Sequence, residues 1–481
     1  MSYCVTIRLY DTNKIQIVTE DTDYLDMMED EFSQYVEGFQ FMPRYRSGSW
    51  NGKICMINKT NYTLPYGLLF DLIKIHKQLF PRNKLIIEDD VKKLFKGTKF
   101  RPKYDLIHKP YPYQKDCVES AIQYKKGIIR SATASGKSLV ISYIIKTLHE
   151  KKKSGVKRSL IVVPNTNLVE QFYKDMKEYG IRFGIGKVYQ KYKEWDYDIV
   201  VSTWQTLMKN HDMLKKFDCV IIDECHSVKA LELRKILTKS PAHYRFGFTG
   251  TLHASVLDNW NTRAFLGPTI RDYPSGLLAE QGYISKCNIK MLNVDYAQKE
   301  WEGEYNEVKD ELFQNKYRVG LLKKIIESCD HNVLLLVGKV ESEGDFLKKQ
   351  LDNINRNVVF LSGRDEVELR EEWREKCKKE KNIVLIATYG IFSQGLNIPN
   401  LKYLIFASPF KAKVRVLQSI GRTLRKHANK ENGSTIYDIH DNIRFFNKHG
   451  LIRLRYYDSE KFDVEEATFD ERSRRYDNFK W

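Results

Sequence analysis

Lys137, set behind a run of small residues, and the adjacent carboxylates Asp223 and Glu224 are the side chains here best suited to chemistry on a phosphate anhydride. In Ser131-Ala-Thr-Ala-Ser-Gly-Lys-Ser138, the modest side chains of Thr133, Ala134, Ser135 and Gly136 let backbone N–H groups close on phosphate oxygens. A helix beginning near Lys137 adds positive potential, Lys137 reaches the outer phosphates, and the Ser138 hydroxyl can ligate magnesium. Asp223 suits holding the same magnesium through its water shell, and Glu224 suits polarising an attacking water as general base. Each piece alone has a plainer reading. Gly-Lys opens many ordinary helices, and Asp-Glu after a strand is often a solvated loop. Their joint occurrence in this order points to nucleotide hydrolysis.

Both pieces need a strand behind them. Ile128 and Ile129 read as a short buried strand before the loop, and Leu139-Val-Ile-Ser-Tyr-Ile-Ile has helical apolar spacing after it. Cys219-Val-Ile-Ile222 fits a strand buried on both faces, which delivers the carboxylates at the edge where ligands of open α/β sheets bind. Upstream, Tyr111-Pro-Tyr-Gln114-Lys115 opens a helical stretch, and the paired donor and acceptor of Gln114 suit an adenine edge. Val333-Leu-Leu-Leu-Val337, Val358-Val-Phe-Leu361, Ile383-Val-Leu-Ile386 and Tyr403-Leu-Ile-Phe406 are further apolar runs separated by helix-length segments. Such spacing predicts a parallel sheet covered on both faces.

Other phrases follow in order: Val163-Pro-Asn-Thr-Asn, Ser202-Thr-Trp-Gln205, Phe248-Thr-Gly-Thr251, Ala387-Thr-Tyr-Gly390, Gln394-Gly-Leu-Asn-Ile-Pro399 and Gln418-Ser-Ile-Gly-Arg-Thr-Leu-Arg425. The set resembles the helicase superfamily two pattern over residues 110–430. The resemblance implies that Arg422 and Arg425 act as arginine fingers, that Gln418 lies near the attacking water, and that Gly395 borders the nucleotide. It implies that Thr249 and Thr251 link hydrolysis to strand movement. It also implies that Thr166, Thr203, Ser362, Gly363 and Thr388 hold phosphates of one nucleic-acid strand. Taken alone, each of those threonines and serines also reads as a helix N-cap. Ala134 departs from the usual loop glycine, and Leu252 from the proline that commonly follows Thr251.

Ahead of these phrases, Arg44, Tyr45, Arg46, Trp50 and Lys53 interleave cations with aromatics around two glycines, as a surface that grips phosphates and stacks on bases would. A hairpin with aromatic core residues is the alternative, and both can hold, with Trp50 inside and the arginines outside. This segment, Leu64-Pro-Tyr-Gly67, the Asp-Glu-Cys-His box and the tail through Glu460-Lys-Phe462 resemble the UvsW family of phage helicases across nearly the full length. The motor core is also similar to repair and transcription helicases of the XPB type.

That family resemblance implies an α/β chain of two tandem RecA-like parallel-sheet lobes with a small α+β N-terminal domain. Residues 1–100 would be a DNA-binding accessory domain, 101–287 the first, ATP-binding lobe, and 288–481 the second lobe with a C-terminal extension, with 254–285 bridging the lobes. Removing residues 1–100 is then expected to leave a folded motor. ATP and Mg2+ are the implied cofactors. Branched, forked or single-stranded DNA is the implied substrate, with RNA–DNA hybrids a further one. Single-stranded-DNA-binding or recombination proteins are implied partners of a monomer working in the cytoplasm, the host's if the protein is a bacteriophage's.

Composition agrees. The 481 residues exceed one core and predict about three domains. Lys and Arg number 80 against 62 Asp and Glu, a net charge of +18 that draws the chain to polyanions. Residues 411–430 carry seven of these cations and no acid. Hydrophobic content of 42% excludes general disorder. The eight cysteines form no Cys-x-x-Cys, so neither a zinc ribbon nor a redox pair is expected. His211, His226, His243 and His253 have no metal-ligand spacing. No apolar run approaches ~18 residues, so no signal peptide or membrane span is expected.

An ATP-driven DNA helicase that remodels branches in replication, recombination and repair is the reading these features favour. Two alternatives stand beside it: a non-unwinding double-stranded DNA translocase, and a hydrolysis-deficient nucleic-acid-binding module. The presence of Lys137, Glu224, Arg422 and Arg425 together favours an active motor.

Overall fold

Strands buried on both faces need continuous apolar runs, and those runs form the centres of two separate sheets. The structure is a computed structural model that describes residues 3–97, 101–228, 230–253, 255–297, 301–394, 398, 400–427, 430 and 433–473. It divides into two compact units, Met1–Ser131 with Gly136–Asp272, and Ala132–Ser135 with Tyr273–Trp481. Gly395 lies outside the described residues.

In the first unit an eight-stranded sheet runs in the order Tyr192–Lys193, Ile185–Tyr189, Ile199–Thr203, Ser159–Val163, Cys219–Ile222, Tyr244–Thr249, Lys126–Ser131, Thr269–Tyr273. Its five central strands are parallel. Register sets their carboxyl ends level: Val163 lies opposite Thr203, Ile222 opposite Val162 and Gly247, and Thr249 opposite Arg130. The loops after these strands therefore open on one edge, which is where an open α/β sheet binds ligands.

The N-terminal residues build a second, mixed sheet in the order Thr63–Pro65, Lys14–Val18, Cys4–Leu9, Lys84–Ile87. Helices Thr22–Glu31 and Leu69–Leu79 cover it with Tyr24, Met28 and Leu72. Its core does not close on itself. Leu257 and Trp260, from helix Val256–Leu266, complete it. At the same joint the Tyr66 hydroxyl donates to the Phe265 carbonyl, and Asp71 pairs with Arg263. Gly67 approaches so closely that a Cβ there would fall 1.8 Å from the Arg263 oxygen. Buried Arg245 donates to Asn13 Oδ1 at 2.9 Å.

Two expectations change here. Residues 256–272 are not a free bridge, because the helix completes the N-terminal core and strand Thr269–Tyr273 adds to the eight-stranded sheet. Nor is the N-terminal domain separable without cost, since its removal would uncover Leu257 and Trp260, each under a tenth exposed. Burying a large apolar side chain is worth roughly 1.5–3 kcal/mol.

The second unit carries a seven-stranded sheet, parallel throughout: Asn357–Leu361, Ile383–Thr388, Val333–Val337, Tyr403–Phe406, Ser434–Asp441, Cys287–Asp295, Asp463–Asp470. Its first four strands are the four apolar runs read from the sequence. Two fully buried ion pairs, Arg318 with Asp441 and Arg453 with Asp438, tie helices to the strand Ser434–Asp441.

Candidate nucleotide site and nucleic-acid interface

Ser131 ends a buried strand, and helix Lys137–Glu150 begins six residues later, so the intervening loop must turn sharply. It does so with two left-handed residues, Ala134 at φ +67° and Gly136 at φ +74°. Gly136 also has no room for a side chain, because a Cβ would stand 2.7 Å from Gln114 Nε2. Ala134 holds the left-handed conformation with a Cβ, at a cost on the order of 1 kcal/mol. The glycine expected at that position is thus replaced without a change of backbone geometry.

Gln114 is buried, and its carbonyl accepts from the Tyr111 N–H at 2.8 Å, capping helix Pro112–Tyr124. The acceptor that suited an adenine edge is engaged by the helix cap, while the amide nitrogen faces the loop. Gln114 braces the turn.

Lys137 Nζ lies 3.4 Å from Glu224 Oε1 and 3.5 Å from the Ser131 carbonyl. Asp223 is buried, and its Oδ1 has no hydrogen-bond partner among the described residues. Burial and then the Glu224 charge push the Asp223 carboxyl well above its ordinary value. Burial opposes the Glu224 charge too, but Lys137 and His226 outweigh it and hold that carboxyl below the usual range. Glu224 also sits at φ +47°, a left-handed conformation that a glutamate adopts only when its surroundings enforce it.

His226 links this box to the next strand. Its Nδ1 lies 3.4 Å from Glu224 Oε2 and 2.6 Å from Thr249 Oγ1. Thr249 Oγ1 donates to the Thr251 carbonyl at 2.7 Å and accepts from the Thr251 N–H at 3.0 Å. With its own proton committed to Thr251, Thr249 accepts from an Nδ1–H on His226. Burial lowers the pKa of His226. His226, Thr249 and Thr251 form one hydrogen-bonded chain whose His226 end lies against the Glu224 carboxylate, and sequence reasoning missed His226. His226 was weighed there only as a metal ligand; its place in the Asp-Glu-Cys-His box was the available signal.

Ser138 Oγ hydrogen-bonds the Tyr179 hydroxyl at 2.9 Å, and Asp175 also engages it. Burial raises the Asp175 carboxyl. Neither partner was read from the sequence, although 175 and 179 share one helix face.

The expected strand-contacting residues divide. Asn165 caps helix Thr166–Glu178, accepting from the Leu168 N–H, which leaves Thr166 out of the cap role. Thr203 does cap helix Trp204–Lys209 and bonds Thr206 Oγ1 at 2.9 Å, so there the plainer reading holds. The Ser362 hydroxyl accepts from the Arg364 N–H, the Gly363 position is open, and Thr388 is buried at a strand end. On helix Lys413–Thr423, Gln418 and Arg422 are one turn apart, and the Arg422 guanidinium lies 5.2 Å from the Phe392 ring centroid. Arg425 follows the helix and is half-buried.

Residues 36–52 project from the hairpin Ser33–Tyr35 and Lys53–Cys55. Arg44 and Arg46 are exposed, and Trp50 is half-buried with Nε1 donating to the Lys53 carbonyl at 2.8 Å. Tyr35 stacks on Phe39 with centroids 4.6 Å apart, Tyr45 meets Phe39 edge-on, and Lys53 lies over Tyr35. Phe41 is 75% exposed. Cations and open aromatic faces alternate on this knob, and the half-buried Trp50 joins the inner and outer readings.

Comparison with known proteins extends the geometry. Three family models match: DNA helicase UvsW, N-terminal, over residues 4–82; type III restriction enzyme, res subunit, over 107–254; and helicase conserved C-terminal domain over 317–427. The ATP-dependent DNA helicase uvsW of Enterobacteria phage T4 is 26% identical, covering 95% of this chain and 98% of its own. The DNA 3'-5' translocase XPB2 of Sulfurisphaera tokodaii is 23% identical over 70% of this chain and 86% of its own. Among solved structures, the ATP-dependent type ISP restriction-modification enzyme LlaBIII bound to DNA shares the fold, with a TM-score of 0.57 at 15% identity over 82% of this chain and 34% of that one. No helix among the described residues is long and apolar enough to cross a membrane.

Proposed function

We propose, starting from what the chain is, an ATP-dependent DNA helicase of the UvsW type in superfamily two, that it unwinds and remodels branched DNA by branch migration, fork regression and R-loop unwinding. The observation that carries this reading is the chain from Lys137 through Glu224 and His226 to Thr249 and Thr251. It joins the phosphate loop to the segment leaving the next strand, so a change at the phosphates can alter backbone that belongs to the motor.

In this reading the loop amides and Lys137 hold the outer phosphates of ATP. Lys137 now steadies the Glu224 carboxylate; on turning to phosphate it withdraws that support, and Glu224 becomes a stronger base for the attacking water. The buried Asp223 oxygen, partnerless among the described residues, suits a hydrated divalent cation, with Ser138 and Asp223 as its protein ligands. Mg2+ there would neutralise phosphate charge. Arg422 and Arg425 would meet charge developing on the γ-phosphate, with Gln418 beside the water.

Thr166, Thr203, Ser362, Gly363 and Thr388 would track one strand, and Arg44, Arg46, Trp50 and Lys53 would grip DNA near the branch. RNA–DNA hybrids are a second substrate, the working form is a monomer, single-stranded-DNA-binding or recombination proteins are its partners, and the site of action is the cytoplasm, the host's if the protein is a bacteriophage's. Hydrolysis and strand separation, measured together on single-stranded DNA, a fork, a four-way junction and an RNA–DNA hybrid, test this. Unwinding of the fork and junction is expected, and Lys137→Ala abolishes it with the fold intact. Hydrolysis without strand separation on any substrate would make the chain a duplex translocase, and DNA binding without hydrolysis a binding module.

A further inference from the structure

The outer edge of the eight-stranded sheet carries a second cluster of cations and aromatics, built on elements other than those of the N-terminal knob. Strand Ile185–Tyr189 turns at Gln190, φ +45°, into the short edge strand Tyr192–Lys193. Helix Thr166–Glu178 packs against this hairpin. Lys177 lies 4.1 Å from the Tyr173 ring centroid and Lys187 4.7 Å from it. Lys187 also lies 4.4 Å from the Tyr192 centroid, with Lys191 over the same ring.

Two tyrosines therefore seat three ammonium groups. Lys187 is neutralised by Glu170, which it meets at 2.9 Å. Among the described residues no carboxylate pairs with Lys177, Lys191 or Lys193, all of which are exposed. Register locates the cluster: Ser202 lies opposite Val188, so Tyr189 and Thr203 end level on the carboxyl edge, and Thr166 begins the helix that bears Tyr173 and Lys177.

We infer that this hairpin and helix form a further DNA-backbone contact, continuous with the strand track proposed at Thr166 and Thr203. The inference rests on that nucleic-acid reading and deepens it. Lys177 donates to the Tyr173 hydroxyl, and Lys187 and Lys191 lie over the Tyr192 ring, so the two tyrosines act as seats that hold the lysines in place rather than as stacking platforms for bases. Fixed cations lose less side-chain entropy on meeting phosphates, and the contact is indifferent to sequence.

The test uses the full chain and a single-stranded oligonucleotide. Lys177→Gln, Lys191→Gln and Lys193→Gln combined are expected to weaken DNA binding on the order of tenfold at 0.1 M salt and to flatten the log–log salt slope by about 2, since ~0.7 counterion is released per phosphate on a single strand. ATP turnover at saturating DNA stays at the parent level. Tyr173→Leu with Tyr192→Leu keeps the charges, so affinity falls while the slope holds. Unchanged affinity and slope in the triple variant, with the parent still stimulated by DNA, would overturn this contact alone. A parent that DNA does not stimulate would instead overturn the nucleic-acid reading on which it stands. Thermal melting of each variant confirms the fold.

Discussion

The acidic box and the aromatic knob are both rich in charge, yet they use it in opposite ways. Asp223 and His226 are taken from water and Glu224 is half-buried between them, so each charge acts strongly on its neighbours and the backbone bearing Glu224 is held in a strained conformation. Arg44 and Arg46 are solvated, and among the described residues nothing fixes their guanidinium groups beyond one long contact from Arg46 to the Gln40 carbonyl. Where charges are buried, one atom decides the outcome. Where they are exposed, the effect is shared among many small terms and screened by salt.

Glu224→Gln presses hardest on this contrast, since it keeps shape and removes the base. Turnover should fall on the order of 10²–10⁴-fold with ATP and DNA binding kept, as read by single-turnover hydrolysis and by binding assays. Normal turnover would move the base elsewhere. His226→Ala should cost less, roughly tenfold, in DNA-stimulated hydrolysis while leaving most basal turnover, because it cuts one hydrogen-bonded link rather than the reacting groups. Equal loss of basal and stimulated rates would make His226 a support of Glu224 alone.

Lys126 offers an intermediate test, because it is a cation like those of the knob but buried like the acidic box. It opens the strand that leads to the phosphate loop, is buried beside Arg245, and lies 4.1 Å from the Tyr66 ring centroid. Burial, then Arg245, lowers it to about 7 from the ordinary lysine value. Above pH 7 the folded chain leaves this amine neutral while the unfolded chain still protonates it, so stability rises with pH from about 7 toward the ordinary lysine pKa. Below pH 7 the full cost of the buried charge is present. Lys126→Met should therefore raise Tm more at pH 6 than at pH 9. A gain equal at both would show the amine is not titrating in this range.

The knob should respond more gently. Arg44→Ala with Arg46→Ala is expected to reduce junction affinity several-fold and to flatten the salt slope by about 2, one per phosphate contact, without touching ATP turnover at saturating DNA. An unchanged slope would turn the knob into a protein-docking surface. Smallest of all is Ala134→Gly. Relief of a left-handed alanine offsets the added freedom of glycine in the unfolded chain, so stability should shift by less than ~1 kcal/mol, whereas Ala134→Val should be clearly destabilised. A loss of several degrees in Ala134→Gly would mean that the loop does not keep this turn.

The parts of the molecule that were legible in its sequence are those written locally. Val333–Val337 and Cys219–Ile222 announce buried strands because an unbroken apolar run suits little else in a polar chain. The phosphate loop is legible because a small-residue turn between strand and helix is a short-range geometry. What stayed hidden depends on distant neighbours. Gln114 also braces the turn, its carbonyl accepting from the Tyr111 N–H, and an aromatic at the N-cap position gives no cue to that role. His226 acquires its role only when Thr249 arrives from another strand. The tyrosine–lysine cluster at 173–193 combines a helix with a hairpin, so no window of sequence holds it whole.

The joint between the N-terminal sheet and helix Val256–Leu266 bears on how such a protein can be recombined. Tyr66, Gly67 and Asp71 are cut to fit Phe265 and Arg263, and Trp260 fills a core that begins at Val5. A chimera that grafts residues 1–97 onto a different motor would inherit a keyed surface without its lock. The unit of exchange is the N-terminal sheet together with the helix near residue 260, two stretches far apart in the chain that have to be inherited, or redesigned, as a pair.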